Sequence, residues 1–207
     1  LNEQVTIMNF PNKLTVGRII LVPLFVAALL IPFPLHNIAA LLIFIAASIT
    51  DLLDGKIARK HNLITDFGKF ADPLADKILV LSALLCFIQL GWCDCVAVII
   101  VLFREFTVTS IRLIAAAKGE VIAANIWGKV KTVTQMVAII AILVFRAAYE
   151  VIFMLLPADI TGNADFCATA NQWLFWGGEA LVWISTVFAI ISGVIYLVQN
   201  RHFISEK

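Results

Sequence analysis

The chain reads as an all-α integral membrane protein: a bundle of six transmembrane helices with both termini on the cytoplasmic side. Three observations carry this expectation. Of its 207 residues, 62% are hydrophobic and the mean hydropathy is +1.00, whereas a soluble domain is nearer half apolar. Several apolar runs approach or exceed the ~20 residues that cross a bilayer core, and none shows the ten-residue alternation of a barrel strand. Lys and Arg gather on alternate links, a pattern that only an even number of spans satisfies. One domain over residues 1–207 is expected rather than two.

The spans read as roughly 14–33, 37–58, 70–90, 95–117, 130–157 and 173–199. The first contains Pro23, which membrane helices tolerate, and it closes at Pro32 and Pro34. It is expected to persist as a helix, because the polar stretch LNEQVTIMNFPNK lacks the basic region and small-residue site of a cleaved leader. Asn37 is placed as the cap of the second span, and Gly91 ends the third. Lys13, Arg18, Lys56, Arg59, Lys60, Lys69, Arg112, Lys118, Lys129, Lys131, Arg201 and Lys207 all fall at one side, while the links 31–36, 91–94 and 158–172 carry no Lys or Arg. That side is read as cytoplasmic.

Several other residues receive structural readings. Trp92, Trp173 and Trp176 are placed in an outer aromatic belt and Trp127 in an inner one. Arg146 and Glu150, four apart in span five, are expected to pair with each other. Cys86, Cys93, Cys95 and Cys167 have no zinc spacing and read as small apolar fillers, with a Cys93–Cys167 or Cys95–Cys167 disulfide as the alternative. The net charge of +1 says nothing about partners, and no nucleic acid is expected among them.

The segment from Asp51 to Lys77 is different. Asp51 and Asp54 are i, i+3, about 60° apart on a helix, and Asp72 and Asp76 are i, i+4, about 40° apart. A helical pair joined by a basic loop brings all four to one end of the bundle. Four carboxylates there repel one another and are costly near lipid, and one or two divalent cations relieve both penalties. Oxygen-only ligation selects hard ions such as Mg²⁺, Mn²⁺ or Ca²⁺. Gly55 and Gly68 permit close approach of a ligand, Ala58 is small, and Arg59 supplies a cation for phosphate. Together these residues read as a metal-diphosphate site.

They also spell D-x-x-D-G-x-x-A-R-x₈-G-x-x-x-D-x-x-x-D, as Asp51, Asp54, Gly55, Ala58, Arg59, Gly68, Asp72 and Asp76. This resembles the signature of the CDP-alcohol phosphatidyltransferases at every fixed position, and the likeness extends to the six-helix plan. The resemblance implies transfer of a phosphatidyl group from a CDP-linked lipid to an alcohol, with release of CMP. It implies that Asp51, Asp54 and Asp72 bind metal, Mg²⁺ or Mn²⁺ and two ions, and that Asp76 is the general base and also touches metal. It further implies a homodimer in the cell membrane, multi-pass, with the active site at the cytoplasmic face.

In NKLTVGR, Asn12, Thr15 and Arg18 share one arc of about 120°. A capping Asn and a snorkelling Arg would account for them. The resemblance instead places this set, with Gly55, Ala58, Arg59 and Gly68, around the CDP-lipid. Span four carries Arg104 well inside an apolar run and Arg112 eight residues on, and GKVKT adds Lys129 and Lys131 at the start of span five. A phosphate on the acceptor would use such a cluster. The plain alternative is that Arg104 pairs with Glu105 or with a clustered Asp, and that the lysines are cytoplasmic anchors. REF and GKVKT resemble the phosphatidylglycerophosphate synthase branch, which implies CDP-diacylglycerol and glycerol 3-phosphate as substrates. An inositol phosphate or phosphatidylglycerol acceptor is the alternative within the family. A divalent-cation transporter is the alternative outside it, disfavoured because Arg59, Lys60 and Lys69 would hinder cation entry and the outer halves of the spans read as almost wholly apolar.

Overall fold

A computed structural model describes the backbone of residues 10–61, 66–120, 122 and 125–203, with side chains outside 10–14, 51–76 and 158–159. Among these residues seven α-helices follow in chain order: α1 (Phe10–Leu30), α2 (His36–His61), α3 (Asp66–Gln89), α4 (Cys95–Ala117), α5 (Ile126–Leu155), the single turn α6 (Ala158–Thr161) and α7 (Ala164–Gln199). A 3₁₀ turn, Arg201–Phe203, closes them, and no strand occurs among the described residues. Each of the six expected spans corresponds to one long helix. The largest boundary error is at α7, which begins at Ala164 rather than 173 because Asn163 caps it, accepting from the Asp165 and Phe166 N–H groups.

Two subsets pack together. α1 lies against α2 and α3, α7 lies against α4 and α5, and α2 joins the subsets through α5. The stripe of α1 that is buried runs Thr15, Arg18, Val22, Phe25, Leu29, with alternating steps of three and four. Phe25 meets Phe44 of α2 with ring centroids 5.5 Å apart. Ala40, Ala47, Ala83, Ala97 and Ala189 are fully enclosed, and such small side chains let helices approach closely.

The outward faces are apolar. Ile20, Leu42, Leu85, Phe103, Val133 and Val198, one from each long helix, are each more than half exposed. A water-soluble surface does not present such a continuous apolar girdle. α5 and α7 are apolar enough and long enough to cross a bilayer. Shorter apolar stretches cover Thr15–Leu30, His36–Thr50 and Lys77–Gln89. The fold is therefore an all-helical bundle that associates with membrane.

Three local expectations are corrected at the end of the bundle that holds the α1–α2 and α3–α4 loops. Asn37 does not cap α2, which already begins at His36. The cap comes from α5: the Glu150 carboxylate accepts from the His36 N–H (3.2 Å), the Asn37 N–H (3.0 Å) and Asn37 Nδ2 (3.0 Å). Glu150 is thus not the partner of Arg146. Arg146 instead lies over the Trp92 ring, 4.6 Å from its centroid, and donates to Asn171 Oδ1 at 3.3 Å. Trp92 is buried beneath it rather than set in a belt, whereas Trp173 and Trp176 are exposed. The carboxylate goes where unpaired helix N–H groups and a positive helix end await it, and the guanidinium goes to an aromatic face.

Glu179 of α7 repeats the device for α4. It accepts from the Asp94 N–H and from Trp183 Nε1, both at 2.7 Å, while Asp94 itself accepts from the Cys95 N–H. This end is therefore less apolar than the sequence suggests, but these polar groups tie helix ends together. All four cysteines are thiols, so the disulfide alternative does not hold. Cys86 and Cys93 are buried fillers, and Cys95 is exposed. Burial, aided by the Glu179 and Asp94 carboxylates, pushes the Cys93 thiol up to about 12.

Glu150→Ala leaves three donors at the start of α2 without their acceptor and is expected to cost about 2–4 kcal/mol, read as a lowered thermal midpoint in detergent. A double-mutant cycle with Arg146→Ala should show coupling under about 0.5 kcal/mol. Strong coupling would restore the ion pair that the geometry replaces.

Candidate active site

On α2 the buried positions Asn37, Ala40, Phe44 and Ala47 advance by three and four. Continued along the same helix, that register passes through Asp51, Asp54 and Ala58. On α3 the buried positions Phe87, Ala83 and Val80, followed back toward the start of the helix, lead to Asp76 and then Asp72. The four aspartates thus stand at helix positions in line with the inward stripes of α2 and α3. Their side chains, with those of Gly55, Ala58, Arg59, Gly68 and Asn12, lie outside the described residues. Among the described residues no three His, Cys, Asp or Glu side chains converge.

Thr15 and Arg18 extend the α1 stripe that packs on these two helices, and both are fully buried. Arg18 therefore does not snorkel outward, as the plain reading of NKLTVGR had it. An enclosed guanidinium on that face suits an anion brought to the α1–α2–α3 end of the bundle.

Beside the middle of α3 opens a cavity of about 470 Å³. It is lined by Lys77 of α3, by Arg104, Glu105, Val108, Thr109 and Arg112 of α4, and by Asn125, Gly128, Lys129, Thr132 and Val133 at the start of α5. Lys77 follows Asp76 directly in the chain, so the cavity adjoins the stretch of α3 that ends in Asp76. Among the described residues four cations and one carboxylate line it, an environment that attracts anions.

Each cation has a defined seat. Arg104 Nη1 donates to Glu105 Oε1 at 2.8 Å and Nη2 donates to Ser192 Oγ of α7. Arg112 Nε donates to the Tyr196 hydroxyl at 3.3 Å, with the guanidinium 5.7 Å from the ring centroid. Lys77 Nζ donates to Thr109 Oγ1. Lys129 is exposed at the rim. Gly193 of α7 passes so close to Arg104 that a Cβ there would sit 3.0 Å from Arg104 Cγ.

Of the four cations expected around an acceptor phosphate, the fold brings Arg104, Arg112 and Lys129 to this cavity and sets Lys131 behind it. Lys131 Nζ donates to Glu105 Oε1 at 2.6 Å. It lines a neighbouring space of about 30 Å³ with Lys77, Glu105 and Thr132. The reason is helical geometry: positions two apart do not share a face. Arg104 both pairs with Glu105 and lines the cavity. Lys77, Glu105, Thr109, Ser192, Gly193 and Tyr196 were not picked out as site residues. Lys77 carried a signal, its place beside Asp76, whereas the α7 residues carried none.

The family model described as CDP-alcohol phosphatidyltransferase matches residues 8–191. A Bacillus subtilis protein named CDP-diacylglycerol--glycerol-3-phosphate 3-phosphatidyltransferase is 37% identical, over 93% of this chain and 95% of its own length. A protein of the same name from Rickettsia bellii is 32% identical, over 91% and 93%. A rice protein named cardiolipin synthase (CMP-forming) is 35% identical over 92% of this chain and 57% of its own. With this match, and with the helix pair and basic cavity it falls upon, the chain belongs to the CDP-alcohol phosphatidyltransferase family.

Proposed function

We propose that this chain transfers the phosphatidyl group of CDP-diacylglycerol to glycerol 3-phosphate, forming phosphatidylglycerophosphate and CMP. The observation that supports the acceptor is the cavity of Lys77, Arg104, Arg112 and Lys129 beside the middle of α3. An alcohol bearing a phosphomonoester would place that anion among these cations and its hydroxyl toward Asp76. The names of the Bacillus subtilis and Rickettsia bellii relatives point to the same reaction.

The acceptor oxygen forms a bond to the lipid-side phosphorus, the bond from that phosphorus to the CMP oxygen breaks, and the acceptor proton passes to the Asp76 carboxylate. Asn12, Thr15, Arg18, Gly55, Ala58, Arg59 and Gly68 form the CDP-lipid site. Asp51, Asp54, Asp72 and Asp76 would hold two divalent ions, Mg²⁺ or Mn²⁺, because an all-carboxylate donor set suits hard cations. When bound, such ions neutralise the diphosphate charge and supply Lewis acidity. The bundle spans the cell membrane six times, with both termini and the site at the cytoplasmic face, so that acyl chains stay in lipid while the nucleotide stays in water. The working unit is a homodimer.

The test is CMP release by detergent-purified protein supplied with CDP-diacylglycerol, Mg²⁺ or Mn²⁺, and one acceptor at a time. Release with glycerol 3-phosphate, and not with phosphatidylglycerol or myo-inositol 1-phosphate, is expected. Release with phosphatidylglycerol alone would place the chain with the rice relative and leave the basic cavity without its role. Absence of release with every acceptor would reopen the transporter reading.

A further inference from the structure

Among the described residues that line the cavity, Glu105 is the acidic one. One of its oxygens, Oε1, accepts both from Arg104 Nη1 at 2.8 Å and from Lys131 Nζ at 2.6 Å, with only 12% of the side chain exposed. It lies on the wall between the larger cavity and the small space behind it, and lines both. We propose that Glu105, held from behind by Lys131, is a positioning residue that competes with the acceptor's phosphate for Arg104, and thereby sets how readily the site releases a phosphomonoester product. The proposal rests on the acceptor reading given above.

The reaction leaves the acceptor's phosphate untouched. The product therefore departs carrying the same anion that brought the substrate in. A pocket of Lys77, Arg104, Arg112 and Lys129 with no internal counter-charge would grip product as firmly as substrate, and tight binding common to both raises no turnover. It would also leave half-buried cations uncompensated whenever the pocket emptied. A carboxylate shared by two cations removes both difficulties. When phosphate enters, it takes over part of the charge-assisted bonding of Arg104; when product leaves, Glu105 Oε1 regains that bond, while Lys131 holds the carboxylate in place throughout. Thr109 Oγ1, which receives the Lys77 ammonium, donates to the Glu105 backbone carbonyl at 2.7 Å, so the segment carrying the carboxylate is fixed relative to the cavity wall.

A purely structural Glu105 predicts the opposite sign. Holding two like charges together for substrate means that losing the carboxylate should scatter them and weaken phosphate binding. Competition means that losing the charge should strengthen it. Glu105→Gln keeps the shape and the acceptor oxygen while removing the charge, and Glu105→Asp keeps the charge but draws it back by one methylene.

The experiment measures glycerol 3-phosphate binding by calorimetry and steady-state CMP release for the full chain and both variants. For Glu105→Gln, Kd and KM for glycerol 3-phosphate should fall by roughly tenfold and kcat should fall with them, as a charge removed a few ångströms from a bound anion implies. KM for CDP-diacylglycerol should not move, and a first-turnover burst of CMP should appear. Glu105→Asp should shift Kd in the same direction by less. An unchanged or raised Kd in either variant overturns the proposal, and if Glu105→Gln does not fold, the sign for Glu105→Asp decides it. Wild-type protein that neither binds glycerol 3-phosphate nor releases CMP with it would remove the acceptor reading first, and this inference with it.

Discussion

Asp76→Asn is expected to lower CMP release by about 10³-fold or more, at the upper end of what a positioned general base supplies. Asparagine keeps the size of the side chain but cannot take the acceptor's proton, and it withdraws one charge from a four-carboxylate set. The loss should fall on kcat. Lys77, the next residue, lines the cavity with Arg104, Arg112 and Lys129, and none of these is altered, so calorimetric affinity for glycerol 3-phosphate should stay near the wild-type value. A variant that retained more than about a tenth of the wild-type rate would exclude Asp76 as the base. A variant that lost acceptor affinity as well would show that the aspartate set and the basic cavity act as one site rather than as neighbours.

Arg112→Ala and Lys129→Ala are each expected to raise KM for glycerol 3-phosphate by about 10²-fold, the order lost with one charge-assisted contact to phosphate. KM for CDP-diacylglycerol should hold. The two residues reach the cavity from different helices and are anchored differently. Arg112 gives its Nε to the Tyr196 hydroxyl, which leaves both terminal nitrogens of its fork for an anion. Lys129 is a point charge at the exposed rim. Loss of catalysis without a change in acceptor KM would move the phosphate elsewhere, and the argument for glycerol 3-phosphate would go with it.

The end of the bundle that holds the α1–α2 and α3–α4 loops shows where sequence spacing misleads. Arg146 and Glu150 are correctly spaced for a pair, yet spacing says only that two side chains could meet. Each had a better partner from a distant part of the chain: the bare N–H groups that open α2 for Glu150, and the Trp92 ring for Arg146. Asn37 failed as a cap for the same reason, since a carboxylate one hundred and thirteen residues away had taken the position. Lys131 illustrates a smaller error. GKVKT was read as one basic cluster, but the helix sends positions 129 and 131 to different faces, one to the rim and one to Glu105.

The sequence by itself determined the helical class, the six long segments, the family and the residues of the aspartate signature. Those features are written in quantities local to the chain: apolar run length, charge on the links, and spacing within one or two turns. The buried register of α2 and α3 even continues through the aspartates at the spacing that the sequence shows. Only the tertiary structure decided what surrounds the cations. Arg104 is shaped by Ser192 and Gly193 of α7, Arg112 by Tyr196 of the same helix, and Lys131 by Glu105 of α4. These partners lie tens of residues apart and share no period, so no window of sequence contains them. They meet because α4, α5 and α7 pack their inward stripes together, and a buried charge then takes whichever opposite charge, hydroxyl or ring that packing brings within reach.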